Sequence, residues 1–246
     1  MSLAHELWPG IKYQPTLTHH FLKVLADKGL LLRIYSQNID GLEFLAGIPD
    51  EKLVECHGHF RTASCIDCNH PADAKKVKET IVNDRTTPIC DYCGGNVKPD
   101  IVFFGEGLPG KFFKLLKKDI PKADLLLVMG TSLKVAPVSE IPNMVKCKRV
   151  LFNRDLVMKI RKGKDMFVPG DCDSSVKKLI DLLGWTVGPD TVATDEKQNK
   201  ADQDSDAEDL DKLFSKIEIS DGSPKKNERI DSVKADVKED SANDDT

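Results

Sequence analysis

ADLLLVMGTS (123–132) is the stretch on which the reading of this chain turns. Leu125 to Met129 stand in an unbroken apolar row, and a glycine and two hydroxyl residues close it. A run without alternation suits a strand covered on both faces, as in a parallel sheet; a strand with one wet face would alternate. LLLRIY (30–35), IVFF (101–104), RVLFN (149–153) and the shorter MFV (166–168) read the same way. Each gives way to polar or glycine-rich residues: SQNID, GE, NRD and PGDCD. Thr16 to Gly29 predicts a helix, because Leu17, Phe21, Val24 and Leu25 recur at helical spacing between residues suited to the two caps. Such alternation predicts an α/β fold with a mostly parallel sheet and helices on both faces. Ligands of open parallel sheets sit outside the carboxyl ends of the strands. The polar clusters, far apart in sequence, are therefore expected on one rim.

The totals narrow the class. The 246 residues are 40% hydrophobic and 31% charged, which suits soluble globular units. No apolar run approaches the ~20 residues of a membrane span, and the first thirty residues lack the pattern of a secretory signal. The expectation is a cytoplasmic protein, with the nucleus as a second location, and no membrane partner. The net charge of -4 hides a split. Residues 188–246 carry 18 acidic and 9 basic side chains, whereas 1–187 carry 22 acidic and 27 basic. The tail reads as acidic and mostly disordered. Within it SDAEDLDKLFSKIEI (205–219) has a capping-box start at Ser205 and Glu208 and an apolar stripe of Leu210, Leu213, Phe214 and Ile217. That helix either covers the body or stays solvated. The domains expected are thus 1–187 and the tail 188–246.

Seven cysteines, an odd number, argue against a disulfide framework. Four of them fall in CIDC (65–68) and CDYC (90–93), with twenty-one residues between the pairs. Four thiolates so spaced can close a tetrahedron around Zn²⁺. Cys65, Cys68, Cys90 and Cys93 leave no open position for water, so the zinc is expected to be structural. It would hold together a small ribbon-and-helix module, about 61–98, that has few apolar residues of its own. His70 reads as a bystander. Arg61, Lys75, Lys76, Lys78 and Arg85 are balanced by Asp67, Asp73, Glu79, Asp84 and Asp91. That is no basic patch, and direct nucleic-acid binding is not expected.

On the rim, Gln37, Asn38 and Asp40 are hydrogen-bonding groups at a strand end, where turn formation is the plainer reading. His57, between Cys56 and Gly58, has the side chain whose charge changes near neutral pH and could serve as a general base. The ordered set is more specific. SQNIDGLE (36–43), ECHG (55–58), the two C-x2-C pairs, KPDIVFFGE (98–106), LLLVMGTSLKVAP (125–137), LFNRD (151–155) and GDCD (170–173) together resemble the sirtuins, the NAD-dependent protein lysine deacylases. The resemblance covers about residues 3–187 and is nearest to the class I branch that includes cytoplasmic tubulin and histone deacetylases.

That resemblance implies a Rossmann-like sheet and a set of roles. His57 matches the general base, with Asn38 and Asp40 beside it as candidate catalytic residues. Gln37, Asn38, Ile39 and Asp40 match the nicotinamide and ribose pocket. Gly130, Thr131 and Ser132 match the loop at the adenine-side ribose and phosphates. Asn153, Arg154 and Asp155 match the adenosine ribose contacts, and Cys172 the adenine contact. Asp155 stands where the family often has Glu. Val102, Phe103, Phe104, Gly105 and Glu106 match the edge along which an acetylated-lysine protein segment, histone-like or tubulin-like, adds as a strand. The implied reaction transfers the acyl group from lysine to the ADP-ribose part of NAD⁺ and releases nicotinamide, with His57 deprotonating a ribose hydroxyl. The implied cofactors are NAD and one structural Zn ion.

The family's opening strand, its Gly-Ala-Gly-Ile-Ser loop and its Ile-Pro-Asp-Phe-Arg segment have no counterpart here; GIPD (47–50) is followed by Glu51-Lys52. The sequence reading therefore expects Met1 to be an internal start and the sheet to lack its first central strand. It also expects that this chain alone neither folds stably nor turns over NAD⁺. A second reading stands beside the enzyme, an inactive scaffold that binds partners; a third, a zinc-ribbon nucleic-acid binder, is set aside by the balanced charges of the module.

Overall fold

The run at 125–129 forms a parallel ladder with the run at 148–153, and that run pairs in turn with 165–169. The computed structural model describes Trp8 and residues 12–187; the helix expected at 205–219 lies outside the described residues. In chain order the elements are α1 (Leu17–Asp27), β1 (Ile34–Ser36), α2 (Leu42–Leu45), β2 (Leu53–Glu55), β3 (Gly58–Cys65), β4 (Pro71–Ala72), α3 (Ala74–Val82), β5 (Val97–Ile101), α4 (Gly110–Asp119), β6 (Leu125–Met129), α5 (Ile141–Met144), β7 (Lys148–Asn153), β8 (Asp165–Pro169) and α6 (Cys172–Leu182). No helix among them is long and apolar enough to cross a membrane.

Period-two alternation sends neighbouring side chains of each strand to opposite layers. On β6, Leu125, Leu127 and Met129 join Phe21, Val150, Phe152, Val168, Val176 and Leu179 beneath α1 and α6. Leu126 faces the other way, onto a cluster of Val54, Cys56, Phe112, Leu116, Val138 and Ile141 around α4. Helices on both faces are therefore present, as the sequence predicts. The two helices of the first layer are tied at their ends. Thr16 opens α1 with a capping box completed by His19. Thr18 N–H donates to Asp173 Oδ1 of α6 at 2.8 Å, and the Thr16 hydroxyl does so at 2.9 Å.

The parallel strands fall into two ladders, β1–β2 and β6–β7–β8. Tyr35 of β1 and Val54 of β2 share the α4 cluster with Leu126, so both ladders lie over one helix. A doubly wound sheet of order 3-2-1-4-5-6 would seat one more strand between β1 and β6. Among the described residues no strand pairs with the second edge of either. Two strand predictions need correction. LLLRIY is ladder-paired only from Ile34, since β2 begins at Leu53; the Leu31 carbonyl instead accepts from Lys52 Nζ at 2.8 Å. IVFF is not a strand of the parallel sheet. Strand β5 ends at Ile101 and pairs antiparallel with β3 in the separate β4–β3–β5 sheet. Phe103 and Phe104 beyond it are exposed, Phe104 to 98%. Their apolar character serves no core and does not signal a strand.

Candidate active site and metal centre

Strand β1 ends at Ser36, whose carbonyl accepts from Cys56 N–H at 2.8 Å. That bond carries the parallel register one step past β2 and lays residue 57 beside residue 37. The half-buried His57 ring places Nδ1 2.9 Å from the Gln37 main-chain oxygen. A carbonyl only accepts, so Nδ1 carries the hydrogen, and in the neutral ring Nε2 then keeps its lone pair. This is the tautomer a base acting through Nε2 requires. The neighbouring Cys56 is no nucleophile: it is fully buried, and burial pushes its thiol up to about 12.

The other half of the rim reaches the same residue. The Thr131 hydroxyl donates to Gln37 Oε1 at 3.0 Å, from the turn that follows β6. In that turn Gly130 takes φ +55 and its N–H donates to the Phe152 carbonyl at 3.0 Å. A Cβ at position 130 would touch Cys172 Sγ at 3.4 Å. Gly170 N–H donates to the Asn153 carbonyl at 3.1 Å, and Asn153 Nδ2 to the Asp155 carbonyl at 2.9 Å. The tips of β6, β7 and β8 thus bring residues 130–131, 153 and 172 together. Burial, with Asp171 and Asp173 nearby, pushes the Cys172 thiol up, so it packs as a neutral group.

Not every candidate is drawn into this set. Asp40 spends one carboxylate oxygen on Leu42 N–H (3.1 Å), opening α2, so the turn-forming reading holds for that oxygen. Asn38 N–H donates to Ser36 Oγ at 3.2 Å, and its side chain is exposed. Ser132, Arg154 and Asp155 are exposed, and Arg154 lies 3.6 Å from Asp171. Ile39 is half-buried. The 102–106 segment is joined to the base through the main chain: Val102 N–H donates to the His57 carbonyl at 2.8 Å. Glu106 folds this turn by accepting from Phe103 N–H (2.8 Å) and Lys98 Nζ (3.2 Å), and the Phe103 amide holds its carboxyl below the usual range.

The metal centre is compact. The Sγ atoms of Cys65, Cys68, Cys90 and Cys93 all lie within 4.8 Å of one another. Cys65 and Cys93 are 3.4 Å apart, and Cys68 and Cys90 are 3.8 Å apart. Thiolates about 2.3 Å from a central Zn²⁺ sit about 3.8 Å from each other in a tetrahedron, so the donors fit. The Cys68 amide is the main cause holding Cys65 down to about 7, whereas hydrogen bonds within the thiol cluster push Cys68 and Cys93 up, Cys93 to about 12, so all four become thiolates only with a cation among them. His70 stands aside, its ring stacked on Tyr92 at 5.2 Å.

Sequence reasoning had no sign of the Thr131–Gln37 contact, which spans 94 positions. The role of Gly58 has one visible signal, a glycine directly after a candidate base.

The Sir2 family model matches residues 1–137. The chain is 48% identical over 188 residues to the NAD-dependent protein deacetylase hst2 of Schizosaccharomyces pombe, covering 75% of this chain and 56% of that protein. It is 49% identical over 189 residues to NAD-dependent protein deacetylase sirtuin-3 of Mus musculus, again 75% and 56%. With NAD-dependent protein deacetylase sirtuin-2 of Danio rerio it shares 42% over 206 residues, 75% and 54%. The chain spans about half the length of the curated relatives it matches.

Proposed function

The chain belongs to the Sir2 family, and from that premise we propose that it is an NAD-dependent protein lysine deacetylase with His57 as its general base. One observation carries the reading. His57, Gln37 and Thr131 are linked in series at 2.9 and 3.0 Å, so base, strand-end pocket and opposite loop share one rim. NAD⁺ would supply an electrophilic ribose carbon for the acyl oxygen, nicotinamide as the leaving group, and a ribose hydroxyl that carries the acyl group away, with water completing the release of lysine. His57 is held with Nε2 free to take a proton from a hydroxyl placed before it. Gln37, Asn38, Ile39 and Asp40 line the strand end where the carboxamide fits. Gly130, Thr131, Ser132, Asn153, Arg154, Asp155 and Cys172 offer the ribose and adenine side. The 102–106 turn, tied to the His57 carbonyl through Val102 N–H, presents its exposed phenylalanines to an extended acetyl-lysine segment, with histone-like or tubulin-like tails as substrates. The four thiols hold zinc and keep that turn in place. Cytoplasm and nucleus are the compartments proposed.

The test is release of deacetylated peptide and nicotinamide from acetyl-lysine peptide and NAD⁺. Replacement of His57 by Ala should lower kcat by at least about 100-fold. Turnover indifferent to that change overturns the assignment of the base. A second reading, a scaffold that binds partners without turnover, draws on one feature: among the described residues the second edges of β1 and β6 carry no strand. A glycine-rich turn to cradle a diphosphate belongs at that point of a doubly wound sheet. Calorimetry separates the two readings, since a scaffold does not bind NAD⁺.

A further inference from the structure

Gln37 is held from two directions. Its main-chain oxygen receives His57 Nδ1–H at 2.9 Å, and its side-chain Oε1 receives the Thr131 hydroxyl at 3.0 Å. The direction of the second bond follows from a third. Leu133 N–H donates to Thr131 Oγ1 at 3.1 Å. An amide N–H cannot accept, so the one hydroxyl hydrogen remains for Gln37 Oε1. Thr131 is therefore satisfied as acceptor and as donor, and only the donor side crosses between the two ladders.

Nothing in the strand ladder fixes the peptide at residue 37. The register of β1 with β2 ends at Ser36–Glu55, and the Ser36 carbonyl takes the last main-chain bond, from Cys56. The peptide that carries the Gln37 carbonyl is held on its far side by the bond from Asn38 N–H to the buried Ser36 Oγ at 3.2 Å, and the grip of the Gln37 side chain is the second constraint on that carbonyl. That carbonyl selects which imidazole nitrogen bears the hydrogen.

We infer that Thr131 is a positioning residue for His57, acting through Gln37: its hydroxyl anchors the residue 37 side chain, and thereby the carbonyl that keeps the imidazole in the Nδ1–H form. The effect on turnover rests on the deacetylase reading; the effect on the tautomer does not.

Imidazole ¹⁵N NMR of the 246-residue chain with labelled histidine reads the tautomer directly, with the His57 signals assigned by their loss in His57→Gln. In the wild-type chain neutral His57 should be in the Nδ1–H form. Thr131→Val, nearly isosteric but without the hydroxyl, should move it toward the Nε2–H form that free imidazole side chains favour. Thr131→Ser should restore it. Gln37→Met removes Oε1 while keeping the carbonyl and should reproduce the shift, with no further change in the double variant; it also serves if the valine variant fails to fold. Where the chain deacetylates, Thr131→Val should lower kcat about tenfold with the peptide KM within about twofold, and serine should recover the rate. An Nε2–H form in the wild type, or a tautomer unmoved by both Thr131→Val and Gln37→Met, overturns the inference. Absence of turnover in a wild-type chain with the Nδ1–H form counts against the deacetylase reading and leaves the positioning result supported.

Discussion

Gly58 runs so close to Asp100 that a Cβ built on it would lie 2.0 Å from the Asp100 carbonyl oxygen. The contact joins β3 to β5 one residue after the candidate base and just before Val102 donates to the His57 carbonyl. Close approach of two backbones is what places the 102–106 turn against His57.

Gly58→Ala should therefore damage both stability and site. Its φ of +75 disfavours any side chain, and the close carbonyl leaves no room for a methyl group. The combined loss should be on the order of 3 kcal/mol, read as a shift of the denaturant midpoint. A variant within about 0.5 kcal/mol of wild type would mean that the two strands do not approach as described.

Zinc removal should act locally first. The buried cluster of the module is Ala63, Cys65, Val77, Cys90 and Val97, and two of these five are ligands. Metal analysis should give one zinc per chain. Stripping it with a strong chelator, or Cys93→Ser, should raise amide exchange in 58–65 and 97–101 well before 148–153. Unchanged exchange in 58–65 without metal would show that the small apolar cluster suffices.

The parallel sheet was legible where both partners of a strand are local features of the chain. ADLLLVMG, RVLFN and MFV became β6, β7 and β8 because each run is apolar enough to be covered on both faces, and α1, whose periodicity is visible, is one of the helices that cover them. IVFF misled because apolar residues that lie exposed in a turn look like apolar residues in a core. The metal ligands were legible from spacing alone, since chelate geometry is local to each pair. The Thr131–Gln37 contact and the Gly58–Asp100 approach were not, because each depends on where two distant segments are set by the packing of everything between them. The same holds for Asp173, whose carboxylate serves α1 rather than its own helix.

Cys56 should be inert. Its thiol is fully buried, and burial raises it to about 12, so at pH 8 almost none is thiolate. Maleimide should leave Cys56 unlabelled in the native chain and label it in denaturant, as mass spectrometry of peptides spanning 53–61 would show. Native labelling at a rate like that of an exposed thiol would indicate that the β1–β2 ladder opens readily.

Asp165 should make stability fall with acid over a defined range. Its side chain is fully buried between Arg149 and Arg161. Burial by itself would raise its pKa, but the hydrogen bonds from Arg149 and Arg161 outweigh that and hold the carboxyl well below its ordinary value. A group whose folded pKa is depressed stabilises fully above its unfolded value, about 4 for Asp, and loses that contribution as pH falls toward the lower folded value. Asp165→Asn leaves the buried Arg149 guanidinium without its counter-charge and should cost about 3–5 kcal/mol at pH 7. The gap between wild type and variant should hold from pH 7 to about 5 and narrow below about 4. Denaturant melts followed by circular dichroism at several pH values measure it. A gap of the same size at pH 7 and pH 3, or no gap at pH 7, would mean that the carboxylate is not the charge that balances Arg149.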